Sequence, residues 1–130
     1  MEKRMSYEEF TYRINEPITD SYGKSPLTPV FNILEGKWRL HVIYALFCLR
    51  DAHFNQIQQF CDPITPAALN LVLKELIKAN LVDKYKEKGE RFPAYALTQK
   101  GQDLMPCFYE MMNWGFFYRV SKKKSKSSSH

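Results

Sequence analysis

Cysteine is sparse: Cys48, Cys61 and Cys107 are three in number and widely spaced, which does not make a disulfide framework. They fit reduced thiols in an intracellular protein, each within an apolar helical pattern where a small buried hydrophobe is the expected role. Glycine is scarce too, with five in the chain, and none gather into a phosphate-cradling loop. His41 and His53 lack a carboxylate partner at catalytic spacing, and Cys61-Asp62 lacks a metal-ligating companion nearby. These absences argue against an enzyme, a metal centre and a cofactor. Long apolar runs are missing as well, since residues 40–49 and 111–118 fall far short of the roughly 20 residues of a membrane span. Met1-Glu2-Lys3-Arg4 leads into acids and aromatics rather than an apolar signal region. The expectation is a soluble, cytoplasmic protein without membrane association.

Core material is plentiful. The 130 residues are 45% hydrophobic and 15% aromatic, enough for one folded domain and too apolar for a disordered chain. Of the formal net charge of +5, Lys122, Lys123, Lys124 and Lys126 supply four units, leaving one for everything else. Overall basicity therefore says little about nucleic acid, and the placement of charges must decide. Residues 119–130 are expected to form a disordered basic tail. Residues 1–24 combine Tyr7, Phe10, Tyr12 and Tyr22 with Pro17 and Gly23, an arm expected to pack on a body or a partner. Residues 25–118 make the domain.

Within it, Ser25-Pro26 or Thr28-Pro29 starts a helix that reaches Leu34 and is interrupted by Gly36. From Trp38 to Arg50 the apolar residues cover more than one helical stripe, predicting a helix that is central or shared with a partner. Phe54, Ile57 and Phe60/Cys61 recur at helical spacing and stop before Asp62-Pro63. After a short turn, Thr65 caps and Pro66 opens another helix with a core stripe of Leu69, Val72/Leu73 and Leu76. It ends near Asn80, a residue that tolerates the left-handed C-terminal conformation.

Residues 82–88 and 91–97 then read as the strands of a hairpin turning at Gly89-Glu90. That register sorts the hairpin's charges. Lys84, Lys86, Lys88 and Arg91 fall on one face with Val82, Pro93, Tyr95 and Leu97, while Asp83, Glu87 and Glu90 fall on the other. Thr98 caps a last helix through about Tyr118, bent by Pro106. Phe108, Met111, Met112, Trp114 and Phe116 give it more apolar surface than a small domain covers, which predicts dimerisation.

Three helices and a hairpin in this order predict a mainly α, α+β fold: a winged helix-turn-helix with a two-stranded wing and N- and C-terminal dimerisation helices. The reading helix presents Thr65, Asn70 and Lys74 to DNA, with Ala67 and Leu71 open to thymine methyl groups or to a dimer or arm contact. The wing cations would take backbone phosphates.

The ordered residues Gly36-Lys37-Trp38, His53-Phe54-Asn55-Gln56-Ile57, Ile64-Thr65-Pro66, Leu73-Lys74-Glu75-Leu76, Asn80-Leu81-Val82, Tyr95-Ala96-Leu97-Thr98, Gly101, Leu104-Met105-Pro106 and Trp114 resemble the HxlR-type family of bacterial winged-helix transcription regulators. The likeness covers about residues 25–115. It implies a homodimer on double-stranded DNA, with recognition helices in major grooves, wings on the flanking backbone, and His53 and Asn55 among the DNA contacts. Three departures stand out. Ser25 replaces a cysteine that senses oxidants or electrophiles in some members, so thiol sensing at this site is not implied. His53 stands where arginine is common. Leu71 and Val72 stand where polar residues are usual.

An unidentified small-molecule effector is compatible with Trp38 and Trp114 as aromatic walls, against core packing as the plainer role of both. The alternative function is a winged-helix protein-interaction module, with weak or no DNA binding, whose partner docks on Leu71 and Val72.

Overall fold

A computed structural model describes residues 4–19 and 22–128, with side chains described through Tyr118. The backbone forms two compact units, Met1–Glu35 and Gly36–His130. In the first, α1 (Tyr7–Arg13) is capped by Ser6, whose hydroxyl accepts from the Glu9 amide at 3.0 Å. Glu9 pairs with Arg13 one turn later at 3.5 Å. Helix α2 (Leu27–Leu34) starts from Ser25-Pro26, not Thr28-Pro29, because the Leu27 amide donates to Ser25 Oγ at 3.2 Å. Leu27, Val30 and Phe31 lie on one side of α2 and are exposed. The unit boundary places α2 with the arm, whereas sequence patterning groups it with the domain.

The second unit is built around α3 (Arg39–Leu49), which buries Val42, Ile43, Ala45 and Leu46. Burying side chains such as Ile43 and Leu46 is worth about 1.5–3 kcal/mol each. Around α3 pack α4 (Phe54–Phe60), α5 (Pro66–Lys78) and strand β3 (Ala94–Leu97). The expected two-stranded wing is β2 (Val82–Tyr85) paired with β3, and a short further strand, β1 (Ala52–His53), extends it to a three-stranded antiparallel sheet of order β1-β3-β2. Strand β1 pairs Ala52 with Tyr95 and His53 with Ala94. Two residues carry no readable alternation, so only their pairing reveals them.

Helix α6 (Gln99–Gln102) is separate from α7 (Met105–Ser128). Pro106 therefore divides the expected last helix rather than bending it. Its ring would clash with the Gln102 carbonyl, and it has no amide to donate there, so it sits in the first turn of a new helix. The α7 backbone runs past Tyr118 to Ser128, while the side chains of the expected basic tail lie outside the described residues.

Phe108 meets Phe47 of α3 edge-on, with ring centroids 5.0 Å apart, and is only 6% exposed. It belongs to the core of its own chain, so its assignment to a dimer interface is corrected. Of the cysteines, only Cys61 is buried; Cys48 and Cys107 are exposed. The expectation of three buried thiols fails because α3 and α7 are apolar on faces their own chain leaves open. Trp114 is likewise 67% exposed and, among the described residues, stacks along its own helix on Tyr118, with centroids 4.8 Å apart. Core packing is thus not its role within one chain. Trp38 is half-buried and edge-on to His41 at 5.6 Å.

Candidate nucleic-acid interface

The reading helix is α5, and both its ends are built from local chemistry. At its start the Thr65 hydroxyl accepts from the Ala68 amide at 3.1 Å, and Pro66 needs no hydrogen-bond acceptor there. At its end Asn80 takes the left-handed conformation, with φ of +62°. The Leu81 amide reaches back to the Leu76 carbonyl at 2.9 Å and the Asn80 amide to Ile77 at 3.0 Å, which stops the helix and turns the chain into β2.

Leu69, Val72, Leu73 and Leu76 of α5 are buried, whereas Ala67, Asn70, Leu71, Lys74 and Lys78 are exposed. These five follow the i, i+3, i+4 rule and form one continuous outward stripe. Val72 is 8% exposed and belongs to the core, so the docking surface of the alternative reading shrinks to Leu71. Arg39 of α3 forms an ion pair with Glu75 on the flank of α5, a link between two helices that no single-helix pattern displays.

Asn55 is exposed in the first turn of α4. That turn is fixed by the His53 amide donating to the Gln56 side-chain oxygen at 2.8 Å. The His53 ring is committed on one side, because Nδ1 lies 2.9 Å from the Pro93 carbonyl. A carbonyl only accepts, so Nδ1 carries the proton and Nε2 remains for another partner.

The wing keeps the expected register and loses part of the expected polarity. Val82 faces Leu97, Asp83 faces Ala96, Lys84 faces Tyr95 and Tyr85 faces Ala94. Beyond Tyr85 and Ala94 the ladder stops. Pro93 has no amide to extend it, and the Glu90 amide bonds to the Glu87 carbonyl at 3.0 Å, centring the turn on Lys88-Gly89. Only Lys84 therefore takes its face from the ladder, with its ammonium over the Tyr95 ring at 5.9 Å. Lys86, Lys88 and Arg91 are exposed in the loop, the Arg91 guanidinium 5.3 Å from the centre of the Phe92 ring. On the Tyr85 side, Glu87 and Glu90 line a hollow of about 240 Å³ with Asp51 and His53. The Tyr85 hydroxyl is raised above its ordinary pKa, chiefly by its hydrogen bond to Asp51. It thereby ties the wing base to the α3–β1 turn.

Among the described residues no group of three or more His, Cys, Asp or Glu is placed to hold a metal. No described helix is long and apolar enough to cross a membrane. A groove of about 440 Å³ between α3 and α7 is lined by Leu40, His41, Tyr44, Phe108, Met111 and Met112. Neither Trp38 nor Trp114 lines it.

Residues 33–123 match the family model described as HxlR-like helix-turn-helix. The chain belongs to this family. An uncharacterized HTH-type transcriptional regulator of Bacillus subtilis, YdzF, is 26% identical over 93 residues, covering 71% of this chain and 85% of that protein. A second HTH-type regulator, from Halalkalibacterium halodurans, is 32% identical over 93 residues, 70% of this chain and 81% of that one. Among solved structures, the reduced form of the transcriptional regulator YodB from B. subtilis superposes with a TM-score of 0.59 at 28% identity, over 67% of this chain and 85% of YodB. The reduced redox regulator HypR superposes with a TM-score of 0.64 at 26% identity, over 77% of this chain and 99% of HypR. This HxlR-like chain is accordingly a DNA-binding transcription regulator, of a class that is not enzymatic, and its winged-helix architecture is that of its structural neighbours.

Proposed function

We propose that this HxlR-like regulator binds a pseudo-palindromic duplex as a homodimer in the cytoplasm, each protomer laying α5 in a major groove and its wing on the flanking phosphates. The exposed stripe Ala67, Asn70, Leu71, Lys74 and Lys78, on a helix whose opposite side is core, carries this reading. Asn70 offers a bidentate amide suited to adenine and Lys74 an ammonium for guanine or phosphate. Thr65, His53 and Asn55 lie at the starts of α5 and α4, where helix amide ends favour phosphate. Lys84, Lys86, Lys88 and Arg91 supply the sequence-independent grip of the wing.

The dimer reading draws on Met111, Met112, Trp114 and Phe116 of α7, all exposed, as are Leu27, Val30 and Phe31 of α2. So many exposed large apolar side chains on one helix, α7, are uncommon on a monomer. The groove between α3 and α7 has the dimensions and lining for a small apolar effector.

Fluorescence anisotropy of the full chain on a duplex from its own upstream region, and on a scrambled duplex, tests the proposal across a salt series. The expected result is tighter binding to the upstream duplex with a linear fall of log affinity against log salt. Absence of salt-sensitive binding to either duplex overturns it and leaves the protein-interaction reading on Leu71.

A further inference from the structure

Leu71 is 59% exposed in the middle of the surface that should be the most polar on the protein. One exposed leucine on a helix is ordinary, but the position of this one is not. It lies between Asn70 and Lys74 on the outward stripe, one turn beyond Ala67, while Leu69, Val72 and Leu73 around it are all turned into the core. The side chain is not needed to pack its own helix.

In a major groove a leucine has one favourable neighbour among the base edges, the C5-methyl group of thymine. Against any other edge it strips water from a donor or acceptor and returns no hydrogen bond. Ala67 extends the same apolar strip with a side chain short enough to permit close approach of the helix. Asn70, directly beside Leu71, carries the paired donor and acceptor that match the N6 and N7 of adenine. Adenine and thymine edges lie side by side in an A·T-containing step, which suits an amide next to a branched apolar group.

Resting on the DNA-binding reading above, we infer that Leu71 is a specificity-determining residue that packs on a thymine methyl group while Asn70 pairs with the neighbouring adenine. The operator half-site then contains an A·T step at the centre of the α5 footprint. Loss of the methyl group alone is enough to be felt.

The test uses the full chain and a duplex recovered by selection from a random pool. Each thymine is replaced in turn by deoxyuridine, which removes only the methyl group. Wild-type affinity is expected to fall about fourfold at one thymine per half-site, the scale of one buried methyl. In Leu71→Ala that penalty disappears, while the salt slope and the adenine preference stay. Leu71→Met, which keeps an apolar chain of similar reach, retains the penalty, and Asn70→Ala loses the adenine preference while keeping it. Leu71 is exposed and alanine favours helix, so an unchanged circular dichroism melt is expected for Leu71→Ala.

The inference is overturned if no thymine responds to deoxyuridine, or if Leu71→Ala shows the same penalty as wild type. Salt-sensitive binding without any selected sequence also overturns it, and leaves DNA binding standing in a nonspecific form. Absence of salt-sensitive binding removes the underlying reading, and this inference with it.

Discussion

The Thr98 hydroxyl donates to the Asn80 carbonyl across 2.6 Å, joining the residue that ends the reading helix to the residue that begins α6. The same oxygen accepts from the Gly101 amide at 3.1 Å, and the Thr98 amide donates to Leu81 at 3.0 Å. Two residues on, the Lys100 ammonium reaches the Ala79 carbonyl at 2.9 Å. Carbonyls that a helix end leaves without partners are thus served by a segment that follows the wing.

Thr98→Ala removes both a cap and an interelement bond, and should cost about 1–2 kcal/mol. Thr98→Ser should retain most of that. Urea unfolding of the three proteins checks it; equal losses in the two variants would show that the methyl group, not the hydroxyl, matters.

Gly101→Ala should be more damaging. An added Cβ would lie 2.4 Å from the Leu81 carbonyl oxygen and 2.9 Å from a Leu97 methyl group, and the backbone atom has no rotamer in which to escape. A loss of about 1–3 kcal/mol follows from overpacking of this kind, visible as a lowered Tm. An unchanged melt would mean that α6 moves freely away from β3.

Lys86→Ala with Lys88→Ala should weaken binding evenly across sequences and reduce the log–log salt slope by about 0.9 for each phosphate that is no longer neutralised. An unchanged slope would remove these lysines from the interface.

Trp114→Glu and Phe108→Ala separate assembly from folding. The first should shift the molecular mass measured by light scattering towards the monomer with little change in helical signal. The second removes a ring packed on Phe47, and should cost about 3–5 kcal/mol by analogy with buried aromatic deletions. A Trp114→Glu protein that scatters like wild type would contradict the α7 dimer.

Thiol labelling of the native protein should modify Cys48 and Cys107 and spare Cys61, which reacts only on denaturation. Burial pushes the Cys61 thiol above its ordinary value. A raised folded-state pKa favours the folded form below the unfolded thiol value, so this contribution is lost as pH rises through and beyond the ordinary thiol range. Rapid labelling of all three thiols in native buffer would contradict the burial.

Much of this fold was readable because its signals are local. Thr65-Pro66, the Leu69 to Leu76 stripe, left-handed Asn80 and the cap at Thr98 each depend on residues within a few positions of one another, and the 82-to-97 register follows from strands of equal length. What stayed hidden depends on contacts between distant segments. Ala52 and His53 become a strand only because Tyr95 and Ala94 lie beside them, and Phe108 turns inward because Phe47 waits one helix away. The exposed Trp114 and Cys48 mislead for the opposite reason: apolarity marks a surface that wants cover without saying whether its own chain supplies it. In the site, the outward stripe on α5 could be drawn from helical spacing, whereas the wing's charge sorting failed where Pro93 stops the ladder.

The His53–Pro93 contact has a kinetic meaning. Because the residue that starts α4 also holds the far strand of the hairpin, the wing is not a flap hinged apart from the helix pair. Groove contacts and backbone contacts are expected to form and release as one body, so loosening that imidazole should shorten the lifetime of the complex more than it slows its formation.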